Sequence, residues 1–321
     1  MGKRTDRIRE KKKSKKGLKI FLTVLATIIL AVGVFALYVY NSVKDTVSED
    51  MNEDVESIAN DISKEKASKG EETLNILLMG VDEREGDKGR ADTLILLSLN
   101  PNTDSMQMIS IPRDSYVDIV GYGKQDKINH SYVYGGTDMT VATVEKFLDV
   151  ELDYFVKINM GGLSDLVDAI GGVTVNNPIE WVDSGDDGYK AGFHYPKGEI
   201  TLNGPEAMGF VRMRKQDPKG DAGRNERQRI LIDAIIDKGA SVGSVTRIDD
   251  ILEVLGDNMS TNMSFDEMQD IYKHYRNTRN NQKNYQIQGT GQYIGPIWYY
   301  MISEEERQKV HNMITEFNAQ K

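Results

Sequence analysis

The 321-residue sequence lacks cysteine altogether and has only four histidines, which are scattered along the chain. Without thiolates or clustered imidazoles, a zinc site is not expected. The lack of cysteine does not exclude a location outside the cytoplasm, because a domain with a large core can stand without disulfides. Hydrophobic residues make up 39% of the chain, which is enough for such a core, so the chain as a whole is not disordered.

Several enzyme motifs are also missing. The GYG at 121–123 lacks the third glycine and the preceding strand of a dinucleotide-binding fingerprint, and no GKS or GKT of a phosphate-binding P-loop occurs. Ser115, Ser131 and His130 do not stand in a nucleophile-elbow pattern, so a polar loop is a better interpretation than a catalytic triad. A group of aromatic residues near the C-terminus is interpreted as core and edge-strand packing in preference to a sugar-binding platform. These are Tyr293, Trp298, Tyr299 and Tyr300.

Charge is distributed unevenly along the chain, whose formal net charge is -10. Ten Lys or Arg fall within residues 1–19, so this segment carries about +8 and the remainder about -18. Next comes an apolar run, residues 18–40, in which Lys19 is the only charge. A membrane-spanning helix needs roughly 20 apolar residues, so this run is predicted to be one. A cleaved signal peptide fits less well, because its apolar region is roughly 7 to 15 residues long.

The basic flank predicts the topology of the chain. By the positive-inside rule residues 1–17 stay in the cytoplasm and everything after residue 40 lies outside it, which predicts a single-pass protein of a Gram-positive type of cell membrane. Because the basic tail abuts the predicted span, it is interpreted as a topogenic flank and no nucleic-acid partner is expected. Residues 41–72 are polar and without a broad apolar face, and a stalk is predicted there.

Three apolar runs after the stalk are predicted to be strands of a meander. The first ends at Asp82, the second begins at Asp92, and the third ends at Arg113. In a meander all three positions meet at one edge of the sheet, where Arg90 and Asp114 lie too. Five charged residues that are distant in sequence are therefore expected to be neighbours.

Helical and strand patterns alternate beyond this point. Residues 137–150 have apolar positions at helical spacing, and residues 153–160 read as a strand. This alternation predicts an α/β fold with helices covering the sheet. The core domain is placed at 73–240, and residues 241–321 are expected to complete it with further helices and strands. Residues 177–200 form a long predicted loop region of the kind that often covers a site.

Asp82 and Asp92 at one sheet edge would repel each other unless a proton or a cation lies between them. A site with few protein ligands, all of them oxygen atoms, suits Mg²⁺. This ion keeps several water ligands and commonly binds substrate phosphates as well. This pattern does not distinguish Mg²⁺ from Mn²⁺. Alternatively, both aspartates pair with Arg84 and Arg90 in a loop and bind no metal.

A second cluster lies at 210–229, where seven basic residues fall within twenty positions. The helix predicted over 224–239 has an apolar stripe, and extending this stripe backwards tilts Arg224, Arg227 and Gln228 toward the protein. Arginine suits two-pronged binding of phosphate oxygens, and a helix N-terminus adds free amides, so a diphosphate would satisfy these groups. The alternative is a surface patch attracted to an anionic membrane or wall polymer. The converging candidates are Arg113, Arg212, Arg214, Arg224 and Arg227.

Seven sequence blocks occur in the order and spacing of the LytR-CpsA-Psr family, which this chain resembles over about residues 73–240. The blocks are NILLMGVDER, GRADTLILLSLNP, ISIPRDSYV, DKINHSYVYGG, FVKINMGGLSDLVDAIGGVTV, LNGPEAMGFVRMR and GDAGRNERQR. The short basic tail and the single predicted span are also similar to that family.

This resemblance implies a mixed central β-sheet flanked by helices in αβα layers, with a hydrophobic channel for a polyprenyl chain. It implies a phosphotransferase that moves an anionic glycopolymer, such as wall teichoic acid or capsular polysaccharide, from undecaprenyl diphosphate to peptidoglycan. It makes Asp82 and Asp92 the Mg²⁺ ligands. The diphosphate-binding set that it implies is Arg90, Arg113, Arg212, Arg214, Arg224 and Gln228, with Lys127 and Asp221 as weaker matches.

The expected reaction is attack by a sugar hydroxyl on the phosphorus nearer the glycan, with undecaprenyl phosphate leaving and no protein nucleophile required. Arg113 is expected to act on the reacting groups, and Asp114 and Asp221 are the candidates for accepting the hydroxyl proton. Two alternatives stay open. One is a polyprenyl-diphosphate hydrolase, in which water replaces the sugar hydroxyl. The other is a lipid-diphosphate-binding regulatory membrane protein of the transcriptional attenuator type.

Overall fold

A computed structural model describes residues 30, 33–83, 88–185, 191–239 and 248–321. The chain divides into two compact units, Met1–Asp45 and Thr46–Lys321. In the first unit residues 33–45 are helical. The predicted basic tail and most of the predicted span lie outside the described residues, and none of the helices that are described is both long enough and apolar enough to cross a membrane.

The second unit begins within the segment predicted to be a stalk, and this corrects that prediction. Val47, Met51, Val55 and Ile58 are buried in the second unit. Only Val47 lies in a helical turn, Thr46–Asp50, and the other three lie in the irregular segment that follows it. In the sequence, the sign of this burial is a set of isolated apolar residues in otherwise polar surroundings. From Thr46 onward the chain is part of the folded unit.

The strands of this unit are short or medium in length. They are β1 Leu74–Val81, β2 Ala91–Asn100, β3 Ser105–Ser110, β4 Tyr116–Asp118, β5 Gln125–Lys127, β6 Tyr154–Asn159, β7 Val173–Asn177, β8 Trp181–Val182, β9 His194–Tyr195, β10 Gly198–Leu202, β11 Met259–Thr261, β12 Asn281–Gln286, β13 Thr290–Ile294 and β14 Ile297–Met301.

The α-helices of the second unit cover the sheet and build the site. They are α1 Asn60–Lys69, α2 His130–Leu148, α3 Met160–Ala169, α4 Gly204–Arg212, α5 Asp221–Gly239, α6 Ile248–Asn258, α7 Phe265–Tyr275 and α8 Glu304–Asn318.

The central sheet has six strands in the order β11-β6-β1-β2-β3-β12. The predicted meander of β1, β2 and β3 is confirmed, because these strands pair antiparallel in sequence order. β6 pairs parallel to β1, and β12 pairs parallel to β3. The sheet is therefore mixed, as expected.

Helices lie on both faces of this sheet because alternate side chains point to opposite sides. Leu77 and Met79 of β1 join a core with Val141 of α2 and Ile314 of α8. Ile76, one residue along β1, joins the opposite core, which also contains side chains of α1 and α7. The predicted αβα layering is confirmed.

Local signals explain two helices near the site. The Asn-Gly-Pro sequence at 203–205 predicts a helix cap at Asn203, and α4 begins there: the Asn203 side chain accepts from the amide of Glu206, and Glu206 accepts in return from that of Asn203. The sequence of residues 126–136 predicts a loop, which is partly wrong because α2 already begins at His130. Its regular geometry is interrupted at Gly135 and Gly136, and Gly136 has a φ of 64°, where only glycine is unstrained.

Candidate active site at the edge of the sheet

The meander brings charged residues to one sheet edge, as predicted. Asp82 follows β1, and its amide donates to the carbonyl of Arg90 over 3.1 Å. Arg113 follows β3 and crosses to β2, where its Nη1 lies 3.0 Å from Oδ1 of Asp92. The Nδ2 of Asn129 also donates to this Asp92 oxygen, over 3.2 Å. The carboxylate of Asp92 is therefore held between two donors.

The second half of the site comes from the end of α4 and the start of α5. Nη2 of Arg212, the last residue of α4, lies 3.0 Å from Oδ1 of Asp82. Asp221 opens α5, with its Oδ1 2.8 Å from Nη2 of Arg224 and 3.8 Å from Nε of Arg214. Arg212 of the second cluster thus reaches Asp82 of the first, while Arg214 and Arg224 gather around Asp221 of their own segment.

These side chains surround a cavity of about 920 Å³. Five basic and three acidic side chains are among its lining residues, so positive charge is in excess there. The lining residues are Asp82, Asp92, Arg113, Met160, Val211, Arg212, Arg214, Lys215, Asp217, Pro218, Gly220, Arg224 and Gln228.

Two of the guanidinium groups keep buried N–H groups without a hydrogen-bond partner among the described residues. They are Nε of Arg113, and Nε and Nη2 of Arg224. The short approach of Arg224 to Asp221 is an ion pair that lacks the alignment of a hydrogen bond. A buried polar group left unsatisfied costs about 1–3 kcal/mol, and more when it is charged. An anion in this cavity would remove that cost.

The electrostatics of the two arginines differ. Burial acts to lower the pKa of Arg113, but the charges of Asp92, Asp114 and Asp221 outweigh burial and raise it. Burial lowers the pKa of Arg224, and Asp221 offsets this only in part while Arg113 adds repulsion. Arg224 is therefore the guanidinium with the greater deficit of negative charge around it.

An apolar cavity of about 310 Å³ adjoins the basic one. The two share Met160, Val211 and Gln228. Beyond these shared residues, the apolar cavity runs between the sheet and α5. Its other lining residues include Leu78, Leu97, Val156, Ile158, Leu163, Leu166, Leu231, Ile232, Ile235, Ile236 and Met259. The basic cavity is thus joined to an apolar one.

Other predicted site residues are not among those that line the basic cavity. Nζ of Lys127 lies 2.7 Å from Oδ1 of Asp114, whose Oδ2 is 3.7 Å from Nε of Arg113, so this pair stands directly behind Arg113. Arg90 joins the edge through its backbone, but its side chain is exposed and is not among the lining residues.

Arg227 is not brought together with the other arginines. Its side chain is fully buried, donates to the carbonyl oxygens of Phe210 and Met213, and pairs with Asp217. The inward tilt of Arg227 is confirmed, but its partner is the carboxylate of Asp217 and not a ligand phosphate. Two lining residues of the basic cavity, Asp217 and Lys215, were not predicted from the sequence. The turn residues of the QDPKG segment are the pattern that could have indicated Asp217.

Asp82 and Asp92, the predicted metal ligands, line the same cavity. Among the described residues, no group of three or more His, Asp or Glu is arranged to hold a metal ion. Metal binding by this pair therefore stays a prediction.

The fold and the site define an α/β protein with a basic cavity that opens into an apolar one. The model of the LytR_cpsA_psr family matches residues 34–316, and the chain belongs to that family. The resemblance based on the seven sequence blocks is thereby confirmed.

Relatives and solved structures agree with this assignment. The chain is 47% identical to the polyisoprenyl-teichoic acid–peptidoglycan teichoic acid transferase TagU of Bacillus subtilis (strain 168), over 92% of this chain and 94% of that protein. It is similar to the crystal structure of B. subtilis TagU, with a TM-score of 0.63 and 45% identity, covering 78% of this chain and 98% of that one. It is also similar to TagT bound to LIIa-WTA, with a TM-score of 0.66 and 30% identity over 78% of this chain and 92% of that one.

Proposed function

We propose that this protein is a membrane-anchored phosphotransferase that moves an anionic glycopolymer, of the teichoic acid or capsule type, from undecaprenyl diphosphate to peptidoglycan outside the cytoplasm. The observation that carries the proposal is the set of buried N–H groups of Arg113 and Arg224 that lack a hydrogen-bond partner among the described residues, in a basic cavity that adjoins an apolar one. A lipid diphosphate has the two matching parts. Its phosphates would accept from the arginines, and its first isoprene units would enter the apolar cavity.

The reaction requires positioning and charge neutralisation. The oxygen of an acceptor hydroxyl attacks the phosphorus nearer the glycan, and the bond from that phosphorus to the bridging oxygen breaks. The bridging oxygen keeps the electron pair and leaves as part of undecaprenyl phosphate. Arg113, Arg212 and Arg224 would bind the negative charge that develops during this step. The hydroxyl proton would pass to Asp114 or Asp221, the two carboxylates beside Arg113 and Arg224.

Asp82 and Asp92 fit a magnesium or manganese ion. They present only carboxylate oxygens to a single cavity, and two protein ligands leave room for water and phosphate oxygens. Such an ion, when bound, would help to neutralise the diphosphate charge. In the structure Asp82 pairs with Arg212, and Asp92 pairs with Arg113.

The predicted helix over residues 18–40 would anchor the enzyme at the surface that carries its lipid substrate, with residues 1–17 in the cytoplasm. A carrier lipid and an enzyme confined to one surface meet more often than two partners free in solution. A nucleic-acid partner is not part of the proposal.

The proposal is tested with the full-length protein in detergent micelles, supplied with a lipid-diphosphate-linked anionic glycan and soluble peptidoglycan oligomers. We expect a covalent glycan–peptidoglycan conjugate together with undecaprenyl phosphate. Release of glycan phosphate without conjugate would instead favour the polyprenyl-diphosphate hydrolase. If Asp82→Ala and Arg113→Ala left glycopolymer attachment in cells unchanged, the regulatory alternative would replace the enzyme.

A further inference from the structure

The hairpin of β13 and β14 carries an unusual amount of exposed apolar surface. Its sequence, residues 290–301, contains no charged side chain. Tyr293 is 70% exposed, and Ile294 and Ile297 at the turn are 40% and 46% exposed. Exposed apolar surface that is gathered in one place commonly marks a binding surface.

The two faces of this hairpin have different roles. Tyr293 pairs with Trp298, and Gly291 pairs with Tyr300, so these aromatic side chains share one face. Tyr299 points to the other face, where it is buried and its ring lies 4.8 Å from that of Tyr116. The predicted role in packing is therefore confirmed for Tyr299, which fastens the hairpin to the domain, whereas the strongly exposed Tyr293 departs from it.

The opposite face is an aromatic strip, which we define as Tyr293, Trp298 and Tyr300. Two of its rings lie close to glycines, Trp298 to Gly291 and Tyr300 to Gly289. A Cβ added to Gly291 would be 2.7 Å from the indole nitrogen of Trp298, so only glycine fits under this ring. The rings of Trp298 and Tyr300 are 6.3 Å apart, at an angle of 40°. Trp298 and Tyr300 therefore present neighbouring rings, and Tyr293 lies opposite Trp298 on the paired strand.

This strip starts at the margin of the basic cavity. The amide of Tyr300 donates to the carbonyl of Asp114 over 2.9 Å, one residue from Arg113. Burial raises the pKa of Tyr300, and the charge of Asp221 adds to this effect, so Asp221 lies within electrostatic reach of the tyrosine hydroxyl. From this point the strip runs outward to Tyr293.

The hairpin does not take part in the junction of the two cavities. Met160 and Val211 connect the apolar cavity to the basic one, and none of the hairpin residues 290–301 lines either cavity. The link between the hairpin and the basic site is the hydrogen bond from Tyr300 to Asp114, the neighbour of Arg113.

We propose that the aromatic strip binds the acceptor saccharide, a peptidoglycan glycan strand, by stacking against its sugar rings and directing a hydroxyl toward the basic cavity. This inference rests on the proposed function. Sugar rings have apolar C–H faces that stack on aromatic rings. An uncharged strip suits amino-sugar rings whose nitrogen is acetylated and therefore neutral. Insertion of the turn into the membrane is the competing outcome.

Transfer kinetics of the full-length protein in detergent micelles test the proposal. For Trp298→Ala and Tyr293→Ala we expect the acceptor KM to rise about tenfold, with the donor KM and kcat changed by less than about twofold. Trp298→Phe retains a ring and is expected to recover most of the affinity. Tyr272→Ala removes a tyrosine of α7 that is 64% exposed, and serves as the matched control. Melting curves verify that each variant is folded.

A second measurement does not depend on transfer. A soluble N-acetylglucosamine oligosaccharide should change the tryptophan fluorescence of the wild type and fail to do so in Trp298→Phe, whose remaining Trp181 is buried. Unchanged acceptor KM in the alanine variants, with transfer intact, overturns the strip and leaves the proposed function standing. Loss of activity only on lipid vesicles, with a normal acceptor KM in detergent, identifies membrane insertion and also overturns it. Saccharide binding at Trp298 without any transfer supports the strip while the proposed function fails.

Discussion

Arg227 and Asp217 form an ion pair sealed inside the protein, with 0% and 3% of their side chains exposed. The guanidinium also donates to the carbonyl oxygens of Phe210 and Met213 and lies 5.3 Å from the ring of Trp181. It thereby fixes the end of α4 against α5. Arg212 and Arg224 extend from these same helices, so the pair positions the arginines of the site, and its Asp217 borders the basic cavity.

Removing one partner of this pair should destabilise the protein strongly. Asp217→Ala leaves a buried charge uncompensated, and we expect a loss of about 3–5 kcal/mol in the free energy of unfolding. Glu226→Ala is the control, because it removes the neighbouring surface pair with Lys219, which is worth at most about 1 kcal/mol. Urea unfolding in detergent, followed by tryptophan fluorescence, measures both. Equal losses in the two variants would contradict the structural role of Arg227.

Replacing Arg224 should affect activity strongly and stability little. Arg224→Met has similar volume and removes a buried cation with unsatisfied N–H groups, so we expect the free energy of unfolding to stay within about 1 kcal/mol of the wild type. We expect kcat/KM for transfer to fall about 100-fold, because charge-assisted bonds to the diphosphate are lost. Arg224→Lys keeps the charge and should recover only part of the rate. A large loss of stability in Arg224→Met would mean that Arg224 is structural.

The apolar cavity should discriminate donors by chain length. Leu163→Trp places extra volume in this cavity, and we expect the KM for an undecaprenyl donor to rise about tenfold. A donor with a short prenyl chain should be much less affected, because it needs less of the cavity. Ile62→Trp, at a position of α1 that is 55% exposed, is the control. The same penalty for long and short donors would show that the tail binds elsewhere.

Metal removal tests the paired carboxylates. We expect a chelator to abolish transfer and added Mg²⁺ or Mn²⁺ to restore it. Asp82→Asn and Asp92→Asn should each raise the Mg²⁺ concentration needed for half-maximal rate at least about tenfold, an effect typical even of residues that only support metal ligands. Asp114→Asn should not change this concentration. Full activity in the presence of chelator would remove the ion from the mechanism.

Asp233 should make stability depend on pH. Burial raises the pKa of its carboxyl group above the ordinary 3.8, and the charge of Asp237 adds to this although the amide of Gln282 opposes it. The folded protein therefore takes up this proton before the unfolded chain does, and the contribution of Asp233 to stability improves as pH falls from neutral toward 3.8. Asp233→Asn should melt above the wild type at neutral pH, and this advantage should shrink on acidification. A difference in melting temperature that does not vary with pH would contradict the assignment.

The sequence predicted the parts of the site that depend on local patterns. Apolar runs separated by turn residues placed Asp82, Asp92 and Arg113 at one sheet edge, and the stripe of α5 turned Arg224 and Gln228 inward. Helical periodicity reports that a side chain points inward but not what it meets. This is why the partner of Arg227 could not be predicted, since Asp217 approaches it only after α4 and α5 have packed.

Other parts of the fold leave too weak a pattern in the sequence to be predicted. β11 has three residues, too few for a pattern, and the buried residues of 46–58 are single apolar positions in polar surroundings. The glycines of the aromatic hairpin predict strands around turns, but only the pairing of β13 with β14 decides which of its rings share a face.

Asp82 and Arg212 touch each other across 130 residues of sequence. Contacts of such long range form late, since a large loop must close before they are gained. A chain still emerging during synthesis therefore has one wall of the pocket without the other until α5 has followed. A product truncated before α5 should therefore not compete with the complete protein for an anionic ligand of this pocket.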